Sequence, residues 1–185
     1  HLFIDDSRLL WLSTYEGAST YSFLSGPAQL IKKQPDASGL NSNYVYKSMR
    51  DKAGSLWVTS QDGVNIIDLS SDQISSLPLP KPAVQKGQLT EVWDVLSDKH
   101  DNIWFASASG LYHHNQASGE TTLFGNEADN KWGFSENEIY TAIYDEQLDG
   151  IWITGYLDVG LRFFEADKGV TRSYLSDVGN QYLED

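Results

Sequence analysis

Short runs rich in apolar residues, separated by polar and turn-forming residues, recur along the whole chain, and four of these runs are built around a tryptophan. Each run has an apolar residue on both sides of the tryptophan, and the four tryptophans are Trp11, Trp57, Trp104 and Trp152. Consecutive tryptophans are 46, 47 and 48 residues apart. A nearly constant period with the same local pattern is typical of repeat proteins. The sequence therefore predicts four copies of one structural unit.

Each unit is predicted to contain four short strands separated by turn-forming residues. In the second unit the predicted strands are 43–49, 55–60, 64–69 and 73–77, in the third 92–96, 102–107, 110–114 and 120–124, and in the fourth 139–144, 150–154, 160–164 and 170–174. The first unit has the end of a strand at 1–6, the Trp11 strand, and strands at 19–24 and 29–32. Short strands with tight turns indicate antiparallel meanders. No segment has a convincing helical pattern.

The tryptophan strands are apolar on both faces, because Leu56 and Val58 alternate with Trp57. A strand of this kind must be covered on both sides, and blades stacked face to face around an axis provide that cover. We therefore predict an all-β fold, a β-propeller segment over residues 1–185. Its four consecutive four-stranded blades lie approximately at 1–38, 39–85, 86–132 and 133–176, with the start of a fifth at 177–185.

Two further residue types recur with the tryptophans. An aspartate precedes each tryptophan by five to seven residues (Asp6, Asp51, Asp98, Asp145), and a glycine follows each by six to eight residues (Gly17, Gly63, Gly110, Gly160). The segments 98–101 and 145–149 lack the alternating ligands and following glutamate of a calcium loop. We expect their aspartates to cap turns by accepting backbone N–H bonds.

All four repeats match the pattern of a known family, so the resemblance covers nearly the whole chain. Residues 45–51 with 54–59, and residues 92–98 with 101–104, resemble the two-component regulator propeller repeat, and 39–43 is similar to its inter-blade linker. The resemblance implies the extracytoplasmic sensing region of a membrane-bound histidine kinase, hybrid kinase or diguanylate cyclase, in the periplasmic part of an inner-membrane protein. Two departures are Ala18, where Leu or Val is usual, and two extra residues between Trp152 and Gly160.

The resemblance favours a non-enzymatic domain that senses a small extracytoplasmic ligand, with an oligosaccharide as one candidate. A polysaccharide lyase or glycosidase and a protein-interaction scaffold remain alternatives, because propellers host both and fold alone does not decide function. The sequence has no G-x-S-x-G nucleophile elbow and no glycine-rich nucleotide cradle. We therefore predict no catalytic residue and no cofactor.

The charge of the chain limits its partners. The net charge is −13, and residues 94–185 contain 5 basic and 17 acidic residues, a net charge of −12. Such a surface repels phosphate backbones, so nucleic-acid binding is not expected. No apolar run approaches the roughly 18 to 20 residues that span a bilayer, and no cysteine is present for thiol or disulfide chemistry.

Two further residue groups are weighed as candidates for a site. His113 and His114 are neighbours on a predicted strand and must point to opposite faces, so we predict no shared metal site. Trp93 lies in a predicted first strand and is expected in the core.

The predicted ligand site lies where loop length varies between units. These are the loops between second and third strands and the linkers to the next blade, which meet at one end of a blade. The candidate ligand-binding residues there are Trp132, Tyr156, Asp158 and Glu136, since binding groups often lie on variable loops of a rigid scaffold. Core anchoring is the alternative for Trp132. Lys52 and Lys99 fall on the opposite rim and are not expected to bind.

Both ends of the chain fall inside predicted blades. Residues 181–183 align with 43–45 at the start of a further first strand, and Phe3 aligns with Met49. We therefore expect the natural protein to contain more blades than these four. A segment of a larger ring would leave two apolar blade faces open, and we expect a homodimer or larger species through these faces.

Overall fold

The structure is a computed structural model that describes residues 2–5, 9–14, 17–22, 29–36, 38–81, 91–125, 131–134, 137–155 and 160–175. The predicted start of a fifth blade at 177–185 lies outside these residues. The described residues contain strands and turns but no helix, so none of them forms a helix that could cross a membrane.

Within the described ranges, sixteen strands form four sheets of four strands each. The strands are β1 (Leu2–Ile4), β2 (Leu9–Thr14), β3 (Gly17–Ser22), β4 (Gln29–Ile31), β5 (Val45–Arg50), β6 (Ser55–Ser60), β7 (Gly63–Asp68), β8 (Gln73–Leu77), β9 (Val92–Ser97), β10 (Ile103–Ser107), β11 (Gly110–His114), β12 (Thr121–Phe124), β13 (Ile139–Asp145), β14 (Gly150–Gly155), β15 (Gly160–Glu165) and β16 (Gly169–Leu175). Within each sheet the strands follow chain order and all pairs are antiparallel. The third strand of the first unit begins at Gly17 and ends at Ser22, two residues earlier than predicted at each end.

The four sheets are the predicted blades, and they stack in chain order. The first strand of each blade lies next to the first strand of the following blade, so β1, β5, β9 and β13 are the inner strands. The all-β propeller prediction is confirmed. The predicted alignment of Phe3 with Met49 also holds, because Phe3 pairs with Trp11 as Met49 pairs with Trp57.

The core consists of three apolar clusters, one at each junction between blades. We call the face of a sheet that carries its tryptophan the Trp face. At the first junction Trp11 packs with Leu56 and Val58 of the next blade. At the second, Trp57 packs with Phe105, and at the third Trp104 packs with residues of the fourth blade. Every junction therefore joins the Trp face of one blade to the opposite face of the next.

The repeated glycine at the start of a third strand has a steric cause. Gly110 has a φ of 127°, a backbone conformation that disfavours residues with a side chain. A Cβ atom at this position would lie 2.3 Å from the carbonyl oxygen of Phe124, which belongs to the neighbouring strand β12. Glycine therefore allows β11 and β12 to pair directly after the turn.

The two terminal blades each expose one apolar face. On the first blade, the face opposite Trp11 exposes Leu2, Ile4, Tyr21 and Leu30 by 65, 58, 44 and 50%. On the fourth blade, the Trp face exposes Ile143, Leu161 and Tyr174 by 67, 39 and 59%. No other part of the described chain covers them. The two faces are the two halves of the junction that is repeated inside the molecule.

Candidate functional site

An aspartate binds the indole nitrogen of the tryptophan in every blade. The Trp57 Nε1–H group donates to Asp51 Oδ2 at 2.8 Å. The equivalent distances are 2.9 Å from Trp104 to Asp98, 3.0 Å from Trp152 to Asp145 and 3.1 Å from Trp11 to Asp5. In the first blade the acceptor is therefore Asp5, one residue before the predicted Asp6. The aspartate precedes the tryptophan by six residues in the first three blades and by seven in the fourth.

The same aspartates hold the turn between the first and second strands. Asp98 Oδ1 accepts backbone N–H bonds from His100 at 2.8 Å and Asn102 at 2.9 Å, and Asp145 Oδ1 accepts two from Gln147 and Leu148 at 3.0 Å. Burial raises the pKa of Asp98, but the hydrogen bonds from Trp104 and Asn102 outweigh it and keep this pKa below its usual value. The predicted turn-capping role is confirmed for both aspartates.

The rim formed by these turns is connected by ion pairs between consecutive blades. Lys52 Nζ lies 2.6 Å from Asp101 Oδ1, and Lys99 Nζ lies 2.9 Å from Asp149 Oδ2. All four side chains are at least 40% exposed, so each pair stabilises the fold only slightly. These lysines on the rim are therefore paired with aspartates of the neighbouring turn.

Above this rim, a cleft of about 370 Å³ separates the third and fourth blades. In this cleft the Tyr144 hydroxyl donates to Asp149 at 2.6 Å, and Lys168 lies 2.6 Å from Glu165. Burial and the hydrogen bond to Asp149 raise the pKa of Tyr144 to about 12. These four side chains of the cleft therefore interact with one another in pairs.

The two histidines of β11 point to opposite faces of their sheet, as predicted. His113 stacks on Trp104 with ring centroids 4.2 Å apart, whereas His114 packs on Trp57 at 5.4 Å. The Nδ1 atom of His114 lies 2.9 Å from the Thr121 hydroxyl, and no described residue forms a hydrogen bond with the buried Nε2 atom of His113. Burial lowers the pKa of both histidines. Across the residues that the structure describes, no group of three potential metal ligands was found.

Of the four candidate ligand-binding residues, Trp132 is the one that the structure describes; Glu136, Tyr156 and Asp158 lie outside the described residues. Trp132 is half-buried and meets Phe124 edge to face at 4.8 Å, and its carbonyl oxygen accepts the Val170 N–H group at 2.8 Å. Its ring also lies 4.3 Å from Lys131 Nζ. Trp132 therefore packs against the outer strands β12 and β16, and its role in binding remains a prediction.

A set of aromatic residues on the inner strands was not predicted as a site. Each of β5, β9 and β13 has a bulge at its second residue, where the pairing register shifts. The bulged residues are Tyr46, Trp93 and Tyr140, and consecutive members are 47 residues apart. A bulge redirects the side chain of the extra residue. We call these three residues the inner aromatic row.

The members of the inner aromatic row contact one another across three blades. The rings of Trp93 and Tyr140 are parallel to within 7°, with centroids 4.3 Å apart. The Tyr46 hydroxyl lies beside the side chains of Glu91 and Trp93, and burial together with the Glu91 charge raises the pKa of Tyr46. Trp93 was predicted to be a core residue, but it is half-buried because the bulge turns it out of the sheet stack.

The next residue along each inner strand is polar, and these three residues also meet. Asp94 is buried, and its carboxylate pairs with Lys47 Nζ of the preceding blade. Its Oδ2 atom accepts the Thr141 hydroxyl at 2.6 Å and the Ala142 N–H group at 3.1 Å, both from the following blade. One carboxylate therefore connects three blades.

The sequence contained the signal for the inner aromatic row. An aromatic residue stands at positions 46, 93 and 140, at the same period as the tryptophan strands. Alternation alone assigns these residues to one face of a blade, since strand periodicity does not reveal a bulge. Their exposure toward the inner side could therefore be found only from the register.

Comparison with known proteins gives structural matches. No family model matches the chain, and no curated protein matches it. An extracellular domain assigned to the hybrid two-component system BT3049 of B. thetaiotaomicron matches with a TM-score of 0.75 at 19% identity, over 92% of this chain and 24% of that chain. The corresponding domain of BT4673 from the same organism gives 0.75 at 16% identity, with the same coverage.

A second type of protein has the same fold. Virginiamycin B lyase from Staphylococcus aureus matches with a TM-score of 0.68 at 12% identity, over 96% of this chain and 55% of that chain. The chain thus spans about a quarter of the length of the two extracellular domains and about half of the lyase. At these identities the likeness establishes the fold, a segment of a β-propeller.

Proposed function

We propose that this chain is part of the extracytoplasmic sensing region of a membrane-bound signal-transduction protein, a hybrid histidine kinase or a diguanylate cyclase, and that it binds a small ligand. The observation that carries the proposal is the structural likeness to two extracellular domains of hybrid two-component systems over 92% of the chain. The repeat pattern of residues 45–59 and 92–104 supports the same assignment.

The distribution of contacts favours the end of the blades that carries the linkers as the binding end. At the opposite rim, Lys52 and Lys99 are paired with aspartates of neighbouring turns. The linker end contains loops of variable length on a rigid scaffold, which is the usual arrangement of a binding surface. Trp132, Glu136, Tyr156 and Asp158 remain the proposed ligand contacts on these loops.

An incubation of the chain with an oligosaccharide panel tests the proposal against its enzymatic alternative. We expect a rise in melting temperature with at least one compound, because a ligand that binds the folded state stabilises it, and no new product by mass spectrometry. Product formation would instead favour a lyase or glycosidase, the alternative that the likeness to virginiamycin B lyase supports.

The proposal that this chain belongs to a membrane-bound signalling protein can be tested separately. The gene around this segment should encode a transmembrane helix followed by a kinase or cyclase domain, and the segment should be protected by an intact inner membrane from cytoplasmic proteolysis. A flanking sequence that encodes a secreted hydrolase would contradict the proposal.

A further inference from the structure

The inner aromatic row combines three properties that together indicate the class of ligand it can bind. It presents aromatic rings to solvent, the Glu91 carboxylate lies beside it, and it belongs to a strongly acidic protein. Tyr140 is 42% exposed, and Trp93 and Tyr46 are half-buried. Solvent therefore reaches the row, whereas Trp11, Trp57 and Trp104 of the repeat are buried between blades, at 3 to 4% exposure.

The geometry of the row is fixed by the backbone. The three side chains extend from equivalent bulges near the beginning of β5, β9 and β13. The beginning of an inner strand follows the linker from the previous blade, so the row lies at the linker end. Glu91 is anchored beside it, because its carbonyl oxygen accepts the Ala108 N–H group at 3.0 Å. The row is preorganised, so a ligand need not order it.

The charge of the site selects the class of ligand. The faces of tryptophan and tyrosine rings attract cations through their quadrupole, and the Glu91 carboxylate adds a negative charge at the Tyr46 hydroxyl. The nearby Lys47 cannot oppose this attraction strongly, because Asp94 pairs with it. The net charge of −13 further raises the local concentration of cations and lowers that of anions.

We propose that the inner aromatic row, with Glu91, is a binding site for a small organic cation with a flat, weakly hydrated charged group. A planar cation of this kind can extend the parallel stack of Trp93 and Tyr140. The inference rests on the proposed function for its role in sensing, and it adds a site on the inner strands at the same linker end of the blades.

A matched pair of probes tests the charge preference directly. The probes are 1-methylnicotinamide, a planar cation, and nicotinamide, its neutral counterpart, each titrated into the chain and followed by tryptophan fluorescence and by NMR. We expect the cation to bind about tenfold more tightly than the neutral ring. Equal affinity of the two probes, or no binding of the cation, would overturn the proposal.

Variants locate the site. Glu91→Gln should lower the affinity for the cation about five- to tenfold and leave the affinity for the neutral probe unchanged. Trp93→Leu should abolish binding of the cation. Tyr140→Leu keeps the test valid if the Trp93 variant does not fold, because Tyr140 is more exposed and should be replaced at little cost to stability. Tyr174→Ala is the matched control, an exposed aromatic on the open face of the fourth blade, and should bind normally. Normal binding by both the Glu91 and the Tyr140 variants would exclude this site.

These experiments distinguish a failure of the cation site from a failure of the proposed sensing function. If the cation fails to bind but an oligosaccharide raises the melting temperature, the row is not the ligand site and the sensing role stands. If the cation binds and the chain forms product from an oligosaccharide, the site stands and the sensing role falls.

Discussion

At the scale of single residues, the repeated tryptophan is held by two kinds of contact, apolar packing on its ring and a hydrogen bond from its nitrogen to an aspartate. Trp57 combines a side chain that is 3% exposed with a 2.8 Å bond to Asp51. Trp132 is half-buried, and the described contacts of its ring are with Phe124 and Lys131. The two residues should therefore differ in their contribution to stability.

We expect Trp57→Ala to lower the free energy of unfolding by about 3 to 5 kcal/mol, the usual loss for a large buried aromatic. Trp132→Ala should lower it clearly less, because part of its ring already contacts water. Urea unfolding of both variants beside the unchanged chain measures the difference. Losses of similar size would mean that Trp132 is as much a core residue as Trp57.

The lowered pKa of His113 and His114 gives a pH dependence with a definite sign. The unfolded chain binds a proton at each histidine below about pH 6.5, whereas the folded chain does so only at lower pH. The free energy of unfolding should therefore fall as the pH drops below about 6.5, by at most about 1.4 kcal/mol per pH unit for each histidine. Above this pH both states are neutral and the effect vanishes.

His113→Phe should reduce this slope, because the variant keeps a ring on Trp104 but cannot be protonated. Unfolding measured between pH 7 and pH 5 avoids the range in which the lowered pKa values of Asp98 and Asp145 also act. If the free energy of unfolding changes with pH equally in the variant and the original chain, His113 does not take up the proton.

At the scale of strands and blades, the sequence predicts those features that depend on the residue pattern within a single strand. Trp57 with its apolar neighbours predicts a strand covered on both faces, and the structure buries Leu56, Trp57 and Val58. The same reasoning misplaces Trp93, because its position depends on a register shift in the pairing with β10. A bulge depends on how two strands pair, and residue alternation within one strand contains no information about it.

The inner strands are also joined by the Asp94 carboxylate, which receives bonds from Lys47 and Thr141 of the two adjacent blades. Asp94→Asn keeps the shape but leaves the partly buried Lys47 without a counter-charge. We expect a loss of about 2 to 3 kcal/mol in the free energy of unfolding, less than for a fully buried pair because Lys47 is 31% exposed.

Lys52→Met is the matched control, since it removes an ion pair between the same two blades at an exposed position. Its effect should stay within about 0.5 kcal/mol. If the two variants lose the same stability, the Asp94 network contributes no more than a surface pair.

At the scale of the whole molecule, the two open faces are complementary. Copies of the chain can therefore associate with the Trp face of the fourth blade on the open face of the first blade. We expect a dimer or larger species in light scattering at moderate protein concentration. Ile143→Lys, placed in the middle of the exposed apolar residues of the fourth blade, should shift the chain to a monomer. A monomer at high concentration in the unchanged chain would contradict this prediction.

The three junctions between blades pair the same two faces, and this equivalence has an evolutionary consequence. A duplication of the segment from one inner strand to the next, residues 92–138 for example, would insert a blade whose two faces match the surfaces already present on both sides. An insertion of one residue within a strand would instead move the following side chains of that strand to the other face of the blade. Such genes can therefore lengthen or shorten in steps of one repeat, and relatives of this chain are expected to differ in blade number more readily than in the structure of a blade.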